Sequence, residues 1–425
     1  MLKRNSPPTT RNNISVSVVI CCLLFVLACG CGQARAIDFR GLVDLRVGTG
    51  NGDRSWTRDG LDKARFDRHS GAVRLGQAIV RADGEVLDSI SGSVVASAAD
   101  DRPGLLDINE AWLSWNPVPA SAWKIRVKAG AFFPATNLEI DYGSVGWTPA
   151  RTLSSSAINS WMGEELRTVG AELSMTRKGN LANSSHDFGF VAAVFNNNDP
   201  AGTLLAWRGW SISDRITGVT ESLRLADLPV YRAGGALPDQ HRNIHLFREL
   251  DNRVGYYTGV NYGYEGRVRI DTMHYDNRGD PMVLKNGQYS WKTRFNHLSA
   301  RVALGDGGEV LLQTLRGNTL MGPNAVRLGY EAWYVLASHT LGPGTVTIRY
   351  DRFATTEHPA DVNPADANTE RGRARLLAYA WPVNRTFSIV TEGLEIRSAR
   401  DARKLIGGPA DRRERSLSTG LRWQF

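Results

Sequence analysis

Lys124, Arg126 and Lys128 take every second position of one short stretch, with Ile125 and Val127 between them. Alternate residues of an extended chain share a face, so this spacing lines up three cations and turns the two apolar side chains the other way. Such a row performs no covalent step. It is fixed charge, and in a water-filled cavity walled by low-dielectric protein it concentrates anions and repels cations. The same parity places Arg46, Arg74, Arg267, Arg269, Arg301, Arg327 and Arg349 on equivalent faces, together with Arg40 and Arg422. Fewer acids share those faces: Asp44, Glu172, Asp271, Glu331 and Asp351. A separate set, Glu139, Asp141, Glu164 and Glu165, lies in or beside the connection 134–164 that follows the basic row. Acids on that connection, set against the basic wall, would create a transverse field able to sort solutes by size and charge.

Catalytic patterns are absent. His245, His274, His297 and His339 are scattered, no Gly-x-Ser-x-Gly turn offers a nucleophile, and no His-Glu-x-x-His, phosphate loop or dinucleotide fingerprint occurs. All four cysteines, Cys21, Cys22, Cys29 and Cys31, fall within the first 36 residues. With those residues removed, neither a disulfide nor a thiolate metal site can form. We therefore expect no enzyme activity, no metal and no cofactor.

The elements that position the charges begin with a targeting segment. Lys3, Arg4 and Arg11 precede an apolar run from Ile14 to Ala28, and Ala34-Arg35-Ala36 supplies small residues for cleavage. Residues 1–36 read as a cleaved signal peptide and 37–425 as the mature chain. The segment holds four cations and no acid, half of the formal charge of +8. The remaining chain is only mildly basic, which gives no reason to expect a nucleic-acid partner. No later stretch is long and apolar enough for a helical span.

Period-two alternation instead recurs throughout. In the last segment Leu417, Thr419, Leu421, Trp423 and Phe425 share one face, and Ser418, Gly420, Arg422 and Gln424 the other. About sixteen such strands are expected, near 38–48, 71–82, 85–98, 105–116, 121–133, 165–178, 184–195, 253–263, 266–277, 292–304, 308–316, 326–339, 344–354, 371–382, 384–397 and 413–425. Every second connection is short, most of them turn-rich: Ala82-Asp83-Gly84, Pro117-Val118-Pro119, Glu265-Gly266, Gly305-Asp306-Gly307, Leu341-Gly342-Pro343 and Pro382-Val383-Asn384. The others are mostly long and polar: 49–70, 134–164, 196–252, 278–291, 355–370 and 398–412. This asymmetry predicts an all-β fold, a closed antiparallel transmembrane β-barrel with short periplasmic turns and long extracellular loops. A soluble sandwich or propeller shares the alternation, but the loop asymmetry, export signal and absence of a blade-length repeat favour the barrel. Tyr256, Tyr262, Tyr330, Tyr334, Tyr350, Tyr379, Trp381, Trp423 and Phe425 are then assigned to aromatic girdles at the membrane surfaces, with Trp423 and Phe425 as anchors.

The terminal Phe425, preceded by the Leu421 and Trp423 alternation, resembles the closing strand of Gram-negative outer-membrane proteins. That resemblance implies recognition by the barrel-assembly machinery. The whole arrangement is similar to the porin family. Gly130-Ala131-Phe132-Phe133-Pro134, leading to Ser156-Ala157-Ile158-Asn159-Ser160-Trp161 and Glu164-Glu165-Leu166-Arg167, is similar to the phosphate-selective type, although no ladder of lysines accompanies it. The resemblance implies that 134–164 folds into the barrel and narrows it, and that barrels pack as homotrimers.

These readings converge on a channel of the Gram-negative outer membrane for passive diffusion of small hydrophilic solutes, with anions preferred. Its partners would be membrane lipid and lipopolysaccharide, the assembly machinery, and small anionic or polar solutes. The connection 196–252 carries Leu204, Leu205, Trp207 and Trp210, apolar content that suggests packing: over or into the pore mouth, or against a neighbouring subunit, with a simple ordered surface loop as the alternative. Two other classes compete: a non-conducting structural or adhesive barrel, and an outer-membrane hydrolase with a Ser/His pair on its outer wall. Planar-bilayer conductance and phospholipid release separate them.

Overall fold

The computed structural model describes residues 37–425 apart from 105, 136–137, 141–144 and 324. The expected signal peptide 1–36 and the loop acid Asp141 lie outside the described residues.

Alternation builds sixteen strands that pair in chain order and close into one barrel. The first seven are β1 (Ile37–Gly50), β2 (Val73–Leu87), β3 (Ile90–Ala98), β4 (Leu106–Trp115), β5 (Trp123–Phe132), β6 (Thr168–Arg177) and β7 (His186–Asn196). After a long loop come β8 (Gly255–Tyr264), β9 (Val268–Asp276), β10 (Lys292–Gly305), β11 (Gly308–Met321) and β12 (Val326–Leu341). The barrel ends with β13 (Gly344–Glu357), β14 (Glu370–Pro382), β15 (Phe387–Arg400) and β16 (Asp411–Gln424). Every neighbouring pair is antiparallel, and β1 closes on β16 in a register running from Leu42↔Gln424 to Gly50↔Ser416. A closed sheet leaves no edge, which is what a strand-built structure requires in hydrocarbon.

All sixteen expected strands are present, within a few residues of the expected bounds. One expected turn is not. Ala82-Asp83-Gly84 lies inside β2, where the Asp83 carboxylate accepts from Arg81 Nε at 2.9 Å and pairs with Arg40. The chain reverses instead at Asp88 and Ser89.

The outer surface carries the apolar residues. Leu45, Val80, Leu113, Val194, Val260, Ile348, Leu377, Leu417 and Leu421 are all more than two-fifths exposed and circle the barrel. So large a continuous apolar surface suits lipid rather than water. At the short-turn end Phe387, Trp423 and Phe425 stack in series, with ring centroids 6.3 and 4.6 Å apart. Gly41 opens the space for the last ring, since a Cβ there would lie 2.2 Å from it.

The interior holds a packed core. Inward-facing Tyr257, Tyr275, Phe295, Tyr330 and Tyr334 surround Trp161, Trp207, Trp210 and Trp291 from the loops, and each of these rings is at most 2% exposed. Two expectations are therefore corrected. Tyr330 and Tyr334 are core residues, not girdle residues, and the opposite face of β12, with Arg327 and Glu331, points outward. Arg327 pairs outside the lumen with Asp361 at 2.9 Å. Period-two alternation separates two faces without saying which is wet. Where a loop fills the lumen, the inner face is the apolar one.

Candidate functional site: a loop-filled lumen with a charged constriction

Three long loops supply most of the lumen filling among the described residues. Loop 133–167 begins where Phe133 stacks on Trp147, with centroids 4.2 Å apart. It contains helix α1 (Ala157–Glu165), whose first turn is capped by Ser156 Oγ accepting from Asn159 N at 3.3 Å. All nine residues of α1 are buried. The loop is tied to the wall formed by β13, β15 and β16. Arg349 donates to Glu139 at 2.7 Å, to Asp351 at 2.9 Å, and to the carbonyls of Ser154 and Ser155 at 2.6 and 3.0 Å. Glu392 accepts from the backbone of Leu153 and Ser154 at 2.7 and 3.0 Å. Arg422 bridges Asp44 and the Thr152 carbonyl, both at 2.9 Å. Arg349 and Arg422 are thus loop anchors as well as lining residues.

Loop 197–254 lies against the first, and its short helix α2 (Thr203–Trp207) is fully buried. Glu164 and Glu165 serve this contact rather than facing the basic row of β5, so the expected opposition is corrected. Glu164 pairs with Arg208 and accepts from Ser211 Oγ at 3.1 Å. Glu165 accepts from Leu204 N at 2.9 Å and from Trp161 Nε1. Burial pushes the Glu165 carboxyl up to about 7, because those two hydrogen bonds only partly offset lost hydration. At the other end of the loop Asp199, Glu249 and Asp251 bring carboxylate oxygens within 4.8 Å of one another. Burial, then the charges of its two neighbours, raise Asp199 to about 8 despite hydrogen bonds from the Leu250 and Asp251 amides.

Loop 51–72 is the third. The amides of Lys63 and Ala64 donate to Glu414 at 2.9 and 2.8 Å, and the fully buried Lys63 Nζ pairs with Glu370. Arg65 from this loop completes a chain of charges that the sequence reading missed. Arg215 contacts Asp101 at 3.2 Å, Asp101 contacts Arg65 at 2.7 Å, Arg65 contacts Asp214 at 2.9 Å, and Asp214 accepts from Arg46 at 3.2 Å. Arg46 in turn holds Asp44 at 2.8 Å. Burial opposes the Asp214 charge, but Arg46 and Arg65 outweigh it and hold the carboxyl far below its usual range. No local sequence signal marks Asp101, Asp214 or Arg215, because the partners that link them into this chain are on other loops or strands, although Arg215 also pairs with Glu221 of its own loop.

This chain joins two spaces. A vestibule of about 350 Å³, bounded by Trp56, Asp101, Arg208, Arg215, Glu221 and Arg224, opens among the long loops. Beyond it a cavity of only about 20 Å³ remains between Arg46, Arg65, Arg74, Asp214 and Glu392, room for one water. Arg74 is buried, lies 4.1 Å from the Phe66 ring centroid and makes no ion pair among the described residues.

The basic row of β5 stands elsewhere, toward the short turns. Lys128 is buried and paired with Glu172 at 3.1 Å, Arg126 lies 4.9 Å from the Trp112 ring centroid, and Lys124 is exposed. Arg269 pairs with Asp271 at 2.9 Å, Arg301 with Glu309 at 2.9 Å, and Arg267 is exposed. Most of the sequence-assigned cations therefore carry an acid partner.

No known family matches the sequence, and no curated protein matches it. Solved structures do. The chain is similar to the outer-membrane channel DcaP of Acinetobacter baumannii, with a TM-score of 0.56 at 10% identity, covering 93% of this chain and 99% of that one. It is also similar to a loop L8 deletion mutant of OmpT, an outer-membrane protein of Vibrio cholerae, with a TM-score of 0.52 at 9% identity over 92% of this chain and all of that one. An in-vitro folded trimer form of OmpT gives 0.51 at 9% identity over the same shares. At such identities the likeness establishes a common sixteen-strand barrel fold.

Proposed function

We propose that this chain is a Gram-negative outer-membrane porin through which small hydrophilic solutes diffuse passively, with anions preferred. Export with removal of residues 1–36, assembly by the barrel machinery and packing as a homotrimer belong to the same reading. The observation that carries it is the division of the wall: a continuous apolar exterior surrounds an interior in which charged loops leave a polar vestibule above a narrow constriction. Solutes would enter among Trp56, Arg208 and Arg224, pass the Arg65 and Asp214 pair, and leave along the basic mouth that contains Lys124 and Arg126.

The anion preference rests on unbalanced charge rather than on the number of arginines. An ion-paired arginine contributes little net field at a distance. Among the described residues, Arg74 at the constriction and Lys124 and Arg267 toward the short turns have no ion pair. The preference rests on their charge outweighing Glu392, which lines the same cavity as Arg74 and, among the described residues, accepts only from Leu153 and Ser154. The phosphate-selective subtype has weaker support, because Lys128 is neutralised by Glu172 and no lysine ladder forms.

One observation favours a second reading, a barrel that does not conduct. The packed aromatic core and a cavity of roughly 20 Å³ stand across the assigned route. Planar-bilayer recordings decide between the two. Discrete single-channel steps with a reversal potential on the anion side support the porin; a folded, inserted protein without steps refutes it.

A further inference from the structure

The strongest unexplained feature is on the outside of the barrel. Arg352, Arg373, Arg397 and Arg413 stand directly opposite one another on β13 to β16: Arg352↔Arg373, Arg373↔Arg397 and Arg397↔Arg413 are successive register pairs. Their parity is outward, because Asp351, Ala374, Ile396 and Glu414 between them are buried in the lumen. Like charges placed directly opposite across strands are destabilising, and here four stand in an unbroken row about 4.8 Å apart. Neutralisation within the chain is meagre. Glu395 contacts Arg397 and Arg415 at 2.9 Å and also holds Arg413, so one carboxylate serves three guanidiniums. Arg352 and Arg373 make no ion pair among the described residues. The row lines an open groove of about 700 Å³.

Depth in the barrel identifies the ligand. Two residues closer to the short turns, the same face carries Tyr350, Arg375, Glu395 and Arg415, and four residues closer it carries Ile348, Leu377 and Leu417, which are 57%, 57% and 59% exposed. The surface changes from hydrocarbon-facing to arginine-rich within two outward steps, on the side of the long loops. A ligand satisfying both parts needs acyl chains beside the leucines and several negative charges at headgroup height. Arginine pairs with phosphate through two parallel, charge-assisted hydrogen bonds. The excess of cations calls for phosphomonoesters, with up to two charges each, rather than zwitterionic headgroups. We infer that strands β13–β16 form a binding site for a phosphate-bearing acylated glycolipid of the lipopolysaccharide class, held by the arginine row. The inference rests on the outer-membrane reading, but the site is on the outer wall and its test does not depend on conduction.

The experiment titrates the full chain in neutral detergent with diphosphorylated lipid A and with the same lipid dephosphorylated, reading affinity by native mass spectrometry. The wild type should bind the phosphorylated form at least about tenfold more tightly, with affinity falling as salt rises. R373Q/R397Q should lose that preference, whereas R373K/R397K, which keeps the charges without the fork, should keep part of it. Heat-modifiable migration in gels establishes that each variant is folded, and unchanged single-channel conductance separates this site from the lumen. Equal affinity for the two lipids would overturn the proposal, as would an undiminished preference in R373Q/R397Q. Displacement of the lipid by an equal concentration of inorganic phosphate would assign the row to free anions. Dissociation of an oligomer by R373Q/R397Q, with lipid binding unaltered, would assign it to a second copy of the chain.

Discussion

Arg74→Gln is the most direct perturbation of the proposed filter. Most lumen arginines cannot be removed cleanly, because each leaves a buried carboxylate unpaired at a cost of about 3–5 kcal/mol. Arg74 has no such partner, and its loss forfeits mainly the contact with Phe66, about 0.5–2 kcal/mol. The electrostatic effect should be larger than the structural one. A unit charge about 6 Å from a passing ion contributes about 0.7 kcal/mol at the dielectric constant of water. Removing it disfavours anions and favours cations by that amount each, so the permeability ratio should shift about tenfold toward cations. Asp214→Asn changes the same constriction by one charge of opposite sign. Arg46 and Arg65 retain Asp44 and Asp101 as partners, so D214N should move the ratio about tenfold toward anions. Reversal potentials across a salt gradient near 0.1 M, where the Debye length is about 10 Å, give both values. If folded R74Q and D214N leave the reversal potential at the wild-type value, ions do not pass this cavity and the assigned route is wrong. Shifts of the same sign in both variants would refute the electrostatic account even if the route stood.

Arg349→Met removes three hydrogen bonds that hold loop 133–167 to β13. A loss of about 3–5 kcal/mol should release the loop, seen as larger, noisier conductance and faster proteolysis within 133–167; wild-type traces and cleavage would refute the anchoring role. In contrast, K124E/R126E alters the short-turn mouth and should reduce anion preference by less than R74Q, with little loss of stability because neither cation is ion-paired among the described residues; a larger effect than R74Q would place the filter at that mouth.

Glu165 supplies a pH dependence. Its folded-state value of about 7 lies above the free carboxyl value of about 4.3, so the folded protein binds the extra proton. Its contribution to stability is complete below about 4.3, declines as pH rises to about 7, and is flat above; the whole change is at most about 3–4 kcal/mol. Asp199 extends the decline to about 8, so loop 197–254 should resist proteolysis best at acidic pH. E165Q should lose about 1 kcal/mol at pH 5 by facing one donor with its amide, yet flatten the decline between pH 5 and 7. An unchanged slope would show that Glu165 does not titrate there.

The sequence by itself determined the strands, their order and the sidedness of the connections. Those features are local: alternation over about ten residues sets each strand, and turn formers such as Gly305-Asp306-Gly307 set the reversals between neighbours. It also determined that Leu417, Leu421 and Trp423 share a face opposed to Arg422. It did not determine what that opposite face meets. Tyr330 and Tyr334 face inward, and Arg327 outward, because loops 133–167 and 197–254 fold into the lumen and make its middle apolar. Only the tertiary structure brings Arg65, Asp101, Asp214 and Arg215 together, or turns Glu164 and Glu165 toward loop 197–254 instead of toward Lys128. Parity along a strand repeats every two residues and is written in the chain, whereas a buried ion pair between loops depends on barrel closure, which brings distant segments into contact without any periodic signal.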